Sequence, residues 1–221
     1  MHALFVTTSA TQLTPDHPTG LWLEEFAVPY LAVTGAGIRV TVASPLGGAV
    51  PLDPKTEPND DERQRWAPAL HALRHSERLA DVRDAWFDAV FLPGGHGPMV
   101  DLVTDTTLQA LISRHDGAGK LIAAVCHGPA GLLNVRRADG QPLLSGRRTT
   151  GFTNAEETLS RLKDVVPFLL EDEMKVRGAD FHSALLPLIS HVEEDGHLIT
   201  GQNPRSSQAV AELLVKRLTT R

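Results

Sequence analysis

Lys120-Leu121-Ile122-Ala123-Ala124-Val125-Cys126-His127-Gly128-Pro129-Ala130-Gly131-Leu132-Leu133 is the stretch that sets the architecture of this chain. Leu121 to Val125 is a short apolar run of the kind a buried strand makes. Gly128, Pro129 and Gly131 mark a sharp turn, and Ala130 to Leu133 reads as the start of a helix. Cys126 stands at the junction and is the one cysteine of the sequence. A side chain on such a strand-to-helix turn is held exposed above a sheet, with N–H groups of the helix N-terminus around it. Those groups and the helix dipole favour thiolate over thiol. The surroundings therefore point to a nucleophile elbow rather than to a buried structural thiol, the usual fate of a free cysteine.

Working outward, strands and helices alternate. Ala3 to Thr7 reads as a first strand and Ile38 to Ala43 as a second, rich in β-branched residues. Leu21 to Val33 between them has helical length, and Pro29 is expected to kink it or end it early. Phe87 to Leu92 is a third strand that runs into Pro93-Gly94-Gly95. Leu121 to Val125 is the fourth, and Leu198 to Thr200 a late one. Ser206 is placed to cap a closing helix through Leu218. Such alternation implies crossover connections and a mainly parallel sheet covered by helices on both faces. Ligands in these folds bind at the carboxyl ends of the strands, and two of those ends here are Gly94-Gly95-His96-Gly97 and Cys126-His127. Residues 45 to 75, rich in Pro, Asp and Arg, read as an insertion of loop and polar helix within a single domain spanning 1–221.

Composition narrows the function classes. The chain has 221 residues, enough for one large core and short for two full domains. A single cysteine excludes an intramolecular disulfide, and the N-terminus lacks a basic segment ahead of a long apolar run, so a cytoplasmic protein is expected. No run approaches the roughly 18 apolar residues of a membrane span. The net charge is −6 with both signs interspersed and no basic stripe, which argues against nucleic acid as a main partner.

Several groups could serve Cys126. A Gly94-Gly95 pair can turn its amides towards a ligand, and with the His127 amide could form an oxyanion hole. A phosphate cradle is disfavoured, since no Lys-Ser/Thr follows and G-x-G-x-x-G spacing is absent. His127 is adjacent to the sulfur, but neighbouring side chains at a helix start diverge by about 100°. A carboxylate from Glu156 or Glu157 could orient it, although an acidic pair at a helix start is also ordinary dipole complementarity. Glu24 and Glu25 lie in a second candidate helix. With Leu21, Trp22, Val28 and Pro29 around it, Glu25 would be desolvated and its pKa raised, as suits proton transfer, but periodicity alone does not choose between the two. His71 and His75 lack the glutamate of a zinc-protease helix and read as a solvated face. His191-Val192-Glu193 runs into a hairpin turn at Glu194-Asp195-Gly196-His197. No carboxylate–histidine cluster has metal spacing, so no metal and no cofactor are expected.

Ala124-Val125-Cys126-His127-Gly128-Pro129 resembles the nucleophile elbow of the ThiJ/PfpI superfamily, whose fold is that of class I glutamine amidotransferases. Thr19-Gly20 followed by Glu25, Gly94-Gly95-His96-Gly97, Thr150-Gly151-Phe152-Thr153 and Ile199-Thr200-Gly201-Gln202-Asn203-Pro204 are similar to its glutathione-independent glyoxalase (glyoxalase III) and heat-shock chaperone branch. The resemblance runs from about residue 4 to 216. It implies a flavodoxin-like α/β domain in which Cys126 is the nucleophile, His127 its histidine, Glu157 the third member and Glu25 the acid beside the sulfur. Gly94, Gly95, His96 and the His127 amide are expected to bind substrate or oxyanion.

The activity this implies is conversion of methylglyoxal, a small 2-oxoaldehyde, to lactate through a Cys126 hemithioacetal, without glutathione or metal, by a cytoplasmic homodimer. A cysteine hydrolase (amidase, peptidase or deglycase) and a stress-response holdase or redox sensor remain as alternatives. The extra domain of the larger bacterial chaperones is missing from the pattern, so their metal site does not carry over. Phe181 to Leu188 departs from the segment expected before the hairpin, and if it lines the pocket, substrate preference departs with it.

Overall fold

A computed structural model describes residues 1–220. Its main sheet is built from β1 (His2–Val6), β2 (Arg39–Ser44), β3 (Glu77–Arg78), β4 (Ala89–Leu92), β5 (Leu121–Val125), β6 (Val192–Asp195) and β7 (Leu198–Gly201). In space the strands run β6-β7-β5-β4-β1-β2-β3. Every pairing is parallel except the β6–β7 hairpin. The central strands carry apolar residues at consecutive positions because both faces of the sheet are covered. Ala3 to Val6, Ala89 to Leu92 and Leu121 to Val125 are buried at every position.

The covering helices are α1 (Leu23–Gly35), α2 (Ala67–Leu73), α3 (Thr106–Gly117), α4 (Asn154–Ser160), α5 (Leu170–Val176) and α6 (Ser207–Thr219). α1 packs against the closing helix α6, and α3 lies against β5. Phe5 of β1 joins the layers, its ring centroid 4.8 Å from Phe91 of β4 and 5.8 Å from Phe26 of α1. Residues 45–75 are tied into this core. Leu21 N–H donates to the Pro51 carbonyl and the Leu21 carbonyl accepts from Asp53 N–H, and Ala69 and Leu73 of α2 are buried.

Four of the strand expectations fall within two residues of the observed ends, and Leu121–Val125 coincides with its strand. Two helix expectations need correction. Pro29 neither ends nor shortens α1, which continues to Gly35. Proline removes one donor, to the Glu25 carbonyl, and burial of Phe26, Ala27 and Val33 on the core side outweighs that loss. After Cys126 the chain forms a short 3-10 helix, Gly128–Leu132, where a longer helix was expected.

The strand order reverses between β1 and β4, so the crevice at their carboxyl ends is the natural ligand position of the fold. β4 and β5 are paired with Leu92 opposite Ala124. The Pro93-Gly94-Gly95 loop and Cys126-His127 therefore leave the sheet side by side. Gly128 is what lets them: a Cβ there would sit 2.1 Å from the Leu92 carbonyl oxygen. Gly128→Ala is expected to cost about 2 kcal/mol or more through this backbone clash, read as a melting temperature lowered by about 5 °C or more. A wild-type melting curve for that variant would show that the two loops can separate.

Candidate active site

The elbow is a strained residue held by its neighbours. Cys126 has φ +59, in the left-handed region. Its N–H donates to the Gly201 carbonyl at 2.9 Å, and its own carbonyl accepts from Phe152 N–H at 2.9 Å. These two bonds fix the sulfur over the end of β5, between β7 and the loop that leads into α4. The 3-10 turn beneath it is too short to supply a helix macrodipole.

Around the sulfur the side chains form a connected line. Cys126 Sγ lies 3.4 Å from His127 Nδ1, and His127 Nε2 lies 2.7 Å from Glu157 Oε2. The second Glu157 oxygen is 2.9 Å from His96 Nε2 and also accepts from Ser160 Oγ at 2.9 Å. Burial alone would raise the Glu157 pKa, but the bonds from His127 and His96 outweigh it and hold the carboxyl below its usual range. Burial, aided by the neighbouring His96, pushes His127 down to about 4. A neutral imidazole that donates Nε2–H to Glu157 leaves the Nδ1 lone pair facing the sulfur, the tautomer this network assigns.

Glu25 approaches from the other side. It is fully buried on the first turn of α1, whereas Glu24 is exposed, so the structure resolves the pair that periodicity left open. Its Oε2 accepts the Gly94 N–H at 2.8 Å. Its Oε1 is buried without a hydrogen-bond partner, and the Cys126 thiol is close enough to act on its titration. Burial raises Glu25 to about 8, with the neighbouring Cys126 thiol and the Gly94 N–H opposing. Burial, reinforced by the Glu25 charge, also pushes the Cys126 thiol up. This reverses the expectation of a thiolate stabilised by a helix N-terminus, because desolvation dominates in a site this enclosed.

The Gly94 amide, expected to bind substrate, is already spent on Glu25. Among the described residues, the amides of Gly95 and His127 donate to no protein acceptor. Gly95 has φ +86 and packs where a Cβ would meet the Gly20 carbonyl oxygen at 2.2 Å, so only glycine holds this turn.

Glu156 and Glu157 divide their tasks. Glu156 accepts from Thr153 N and Oγ1, Gln202 Nε2, Asn203 Nδ2 and Leu188 N, all within 2.8 to 2.9 Å. Its oxygens tie the α4 N-terminus to two distant loops and do not reach His127. His191 Nε2 lies 2.9 Å from Glu193 Oε1, outside this network, and the rings of His71 and His75 meet edge to face at the surface. Among the described residues, His96, His127 and Glu157 are the one grouping whose ligand atoms, within 4.8 Å of one another, could hold a metal ion. Those same atoms are already engaged in the two imidazole–carboxylate bonds.

The model of the DJ-1/PfpI family matches residues 19–217. The chain belongs to that family. Within the DJ-1/PfpI proteins it is similar to a glutathione-independent glyoxalase of Schizosaccharomyces pombe, 28% identical over 90% of this chain and 89% of the relative. Among solved structures it resembles the Rapid Encystment Protein 24 kDa of Francisella tularensis, with 33% identity, TM-score 0.93 and 99% of each chain covered. It also shares its fold with glyoxalase III of Candida albicans, at 24% identity and TM-score 0.85 over 97% of this chain and 96% of that one.

A cavity of about 370 Å³ opens over Cys126 and His127. Its outer wall is Trp22, Phe152, Leu159 and Leu188; sequence reasoning gave Trp22 a place only as a neighbour of Glu25, and Leu159 no role. Phe152 lay within a motif quoted for its resemblance, and its ring stands 4.4 Å from that of His127. Leu188 closes the Phe181–Leu188 segment whose departure from the family pattern is its one signal, and it reaches the cavity from a loop far along the chain.

The raised Glu25 pKa has a stability consequence with a definite sign. Unfolded, Glu25 ionises above about 4.3, whereas folded it keeps its proton to about 8. Between those values the folded state binds the extra proton, so stability falls as pH rises. Glu25→Gln removes this penalty and is expected to raise stability at pH 7 by about 3 kcal/mol, with little effect at pH 4. Urea unfolding of both proteins at the two pH values checks it, and an equal effect at both would refute the assignment.

Proposed function

We propose that this protein is a glutathione-independent glyoxalase that converts 2-oxoaldehydes such as methylglyoxal to 2-hydroxy acids. The observation that carries the reading is the convergence on one sulfur of a neutral imidazole, a protonated carboxyl group and two free amides. An isomerisation through an enediol needs an acid and a base on a site shielded from water, and Glu25 with His127 supplies that pair.

In this mechanism His127 Nδ1 takes the thiol proton as Cys126 adds to the aldehyde carbon. The new oxyanion lies against the Gly95 and His127 amides and then takes the Glu25 proton, giving a neutral hemithioacetal. The Glu25 carboxylate removes the hydrogen on the former aldehyde carbon. The electron pair forms the enediol double bond, and imidazolium protonates the former ketone oxygen. Glu25 next returns its proton to the second carbon while His127 takes one from the first hydroxyl, leaving a 2-hydroxy thioester. Water attacks the thioester carbonyl, its proton passes to Glu25, and His127 reprotonates the departing sulfur. The enzyme returns to its starting state with no oxidant or cofactor consumed.

Glu157 holds His127 in the reactive tautomer, and His96 holds Glu157, so both are positioning residues. The net charge of −6 and the absence of a basic stripe support a small-molecule substrate rather than nucleic acid. No helix among the described residues is long and apolar enough to cross a membrane. The cytoplasmic homodimer implied by the resemblance belongs to the same reading.

Purified protein incubated with methylglyoxal and no glutathione is expected to yield lactate, followed by proton NMR. Cys126→Ser should abolish this by about 10³-fold or more while keeping the fold, the scale expected for a lost covalent nucleophile. Ammonia, peptide fragments or released sugar from amide, peptide or glycated substrates, with no lactate from methylglyoxal, would make it a hydrolase.

The pH profile follows from the two groups beside the sulfur. His127 must be neutral to accept the thiol proton, so activity rises through about 4. Glu25 must be protonated to donate, so activity falls through about 8. A bell-shaped kcat/KM with limbs near those values is expected, reporting macroscopic constants of the coupled site. Glu25→Gln should lower activity by about 10²-fold, against under about threefold for the exposed Glu24→Gln. Activity rising steadily to pH 10 would refute the role of Glu25 as an acid.

A further inference from the structure

We propose that the preferred substrate is a 2-oxoaldehyde carrying a bulky, uncharged aryl or branched alkyl group in place of the methyl group of methylglyoxal. The inference rests on the glyoxalase reading above and assigns its substrate class.

The reacting end of any such substrate is met by Cys126, His127 and the Gly95 amide. A triose-derived aldehyde ends within a few atoms of that point. The cavity goes on to about 370 Å³, inside the roughly 300–1,000 Å³ range of sites that enclose much larger ligands. Its further wall is Trp22, Phe152, Leu159, Leu188 and Pro204. A methyl group would leave most of this apolar surface against water, whereas a ring or branched chain would cover it.

The wall has a built component. Leu188 has φ +61, a conformation costly for a residue with a Cβ, and shares it among non-glycine residues only with Cys126 and Arg161 among the described positions. Strain of this kind persists where the surroundings over-determine it. Here Leu188 N–H is bonded to Glu156 Oε1 at 2.9 Å, on the carboxylate that also binds Gln202 and Asn203. The loop that departs from the family pattern is thereby anchored with its leucine in the cavity. Leu188 and Leu159 stay 40% and 59% exposed, apolar surface that a bulky substituent would remove from water.

Charge argues in the same direction. The one cation on the cavity wall is Lys55, exposed at its edge, and the Glu156 oxygens are occupied by protein donors. Beyond the Gly95 and His127 amides at the reacting end, no cation inside would replace the hydration of a phosphate or carboxylate on the substituent.

Initial rates with phenylglyoxal, followed as mandelate, and with methylglyoxal, followed as lactate, test the proposal. A Cys126→Ser blank subtracts modification of arginines by phenylglyoxal. The chemistry is the same for both: hydrogen passes from the first carbon to the second, and water enters as hydroxyl and proton. Wild type is expected to favour phenylglyoxal by about tenfold or more in kcat/KM. Leu188→Gly, which relieves the backbone strain while removing the wall, should lower that ratio at least fivefold, and so should Leu159→Ala. Comparing ratios between proteins cancels the intrinsic reactivities of the two aldehydes. Leu185→Ala, at a side chain 97% exposed and outside the cavity wall, should leave the ratio unchanged. If Leu188→Gly does not fold, Leu159→Ala decides. Lactate formation with methylglyoxal preferred, or a ratio indifferent to both wall variants, overturns the inference and leaves the glyoxalase reading standing. Failure to turn over either aldehyde overturns both.

Discussion

Cys126 sits at φ +59, where a residue with a Cβ is disfavoured by about 1–2 kcal/mol, and the sheet supplies the bonds that keep it there. Its N–H is held by β7 and its carbonyl by the Phe152 amide ahead of α4. Parallel pairing of β4 with β5 brings the Gly94-Gly95 turn alongside, and Gly128 makes that approach possible. If the residue relaxed to an ordinary helical or extended conformation, the sulfur would leave the line joining Glu25 to His127. The hydrophobic core therefore does more than stabilise the fold. Its consecutive apolar strands fix the heights at which the loops after β4 and β5 leave the sheet, and these loops carry the sulfur and the two free amides.

Three buried glutamates stand near this residue, and their different surroundings give them different work. Glu25 receives one backbone donor in an otherwise apolar setting, so it keeps its proton near neutrality. Glu157 receives two imidazoles and a hydroxyl, which hold its charge in place and with it the His127 tautomer. Glu156 is surrounded by amide and hydroxyl donors from three segments and serves as a structural knot. Environments that drive similar groups apart are what separates acid from base in an enzyme site. The same separation makes the folded protein less stable than it could be. A carboxyl kept neutral by burial is retained against the free energy of ionising it in water.

Much of this could be read before any coordinates. The elbow, the strand ends and the glycine turn are local patterns, set by apolar runs a few residues long and by turn residues at fixed offsets. Motif spacing also placed Glu25 and Glu157 ahead of Glu24 and Glu156, where helical periodicity could not choose. The sign of the thiol shift was not legible. It depends on how completely the sulfur is enclosed and on how long the following helix runs, and Pro129 with two flanking glycines reads equally well as the start of a long helix or of one 3-10 turn. Pro29 misled for a related reason, since the packing that carries α1 past it comes from elements distant in sequence.

The division between what was and was not legible follows the division of labour in the cavity. Groups placed around the sulfur come from the ends of neighbouring strands and the first turns of helices, where position is fixed by the fold and spacing can be read. The outer wall is different. Trp22 precedes α1, Leu159 lies along α4, and Leu188 arrives on an irregular loop tied by backbone bonds to the side chains of Glu156, Gln202 and Asn203. A loop held through its backbone can change side chains without disturbing the elbow, because Glu156, Gln202 and Asn203 bind the loop main chain and make no hydrogen bond to the sulfur. On the proposed reading, chemistry and selectivity are in this way carried by separate parts of the chain. The two adjacent glutamates of α4 serve one each: Glu157 holds the imidazole beside the thiol, and Glu156 the loop that shapes the space in front of it.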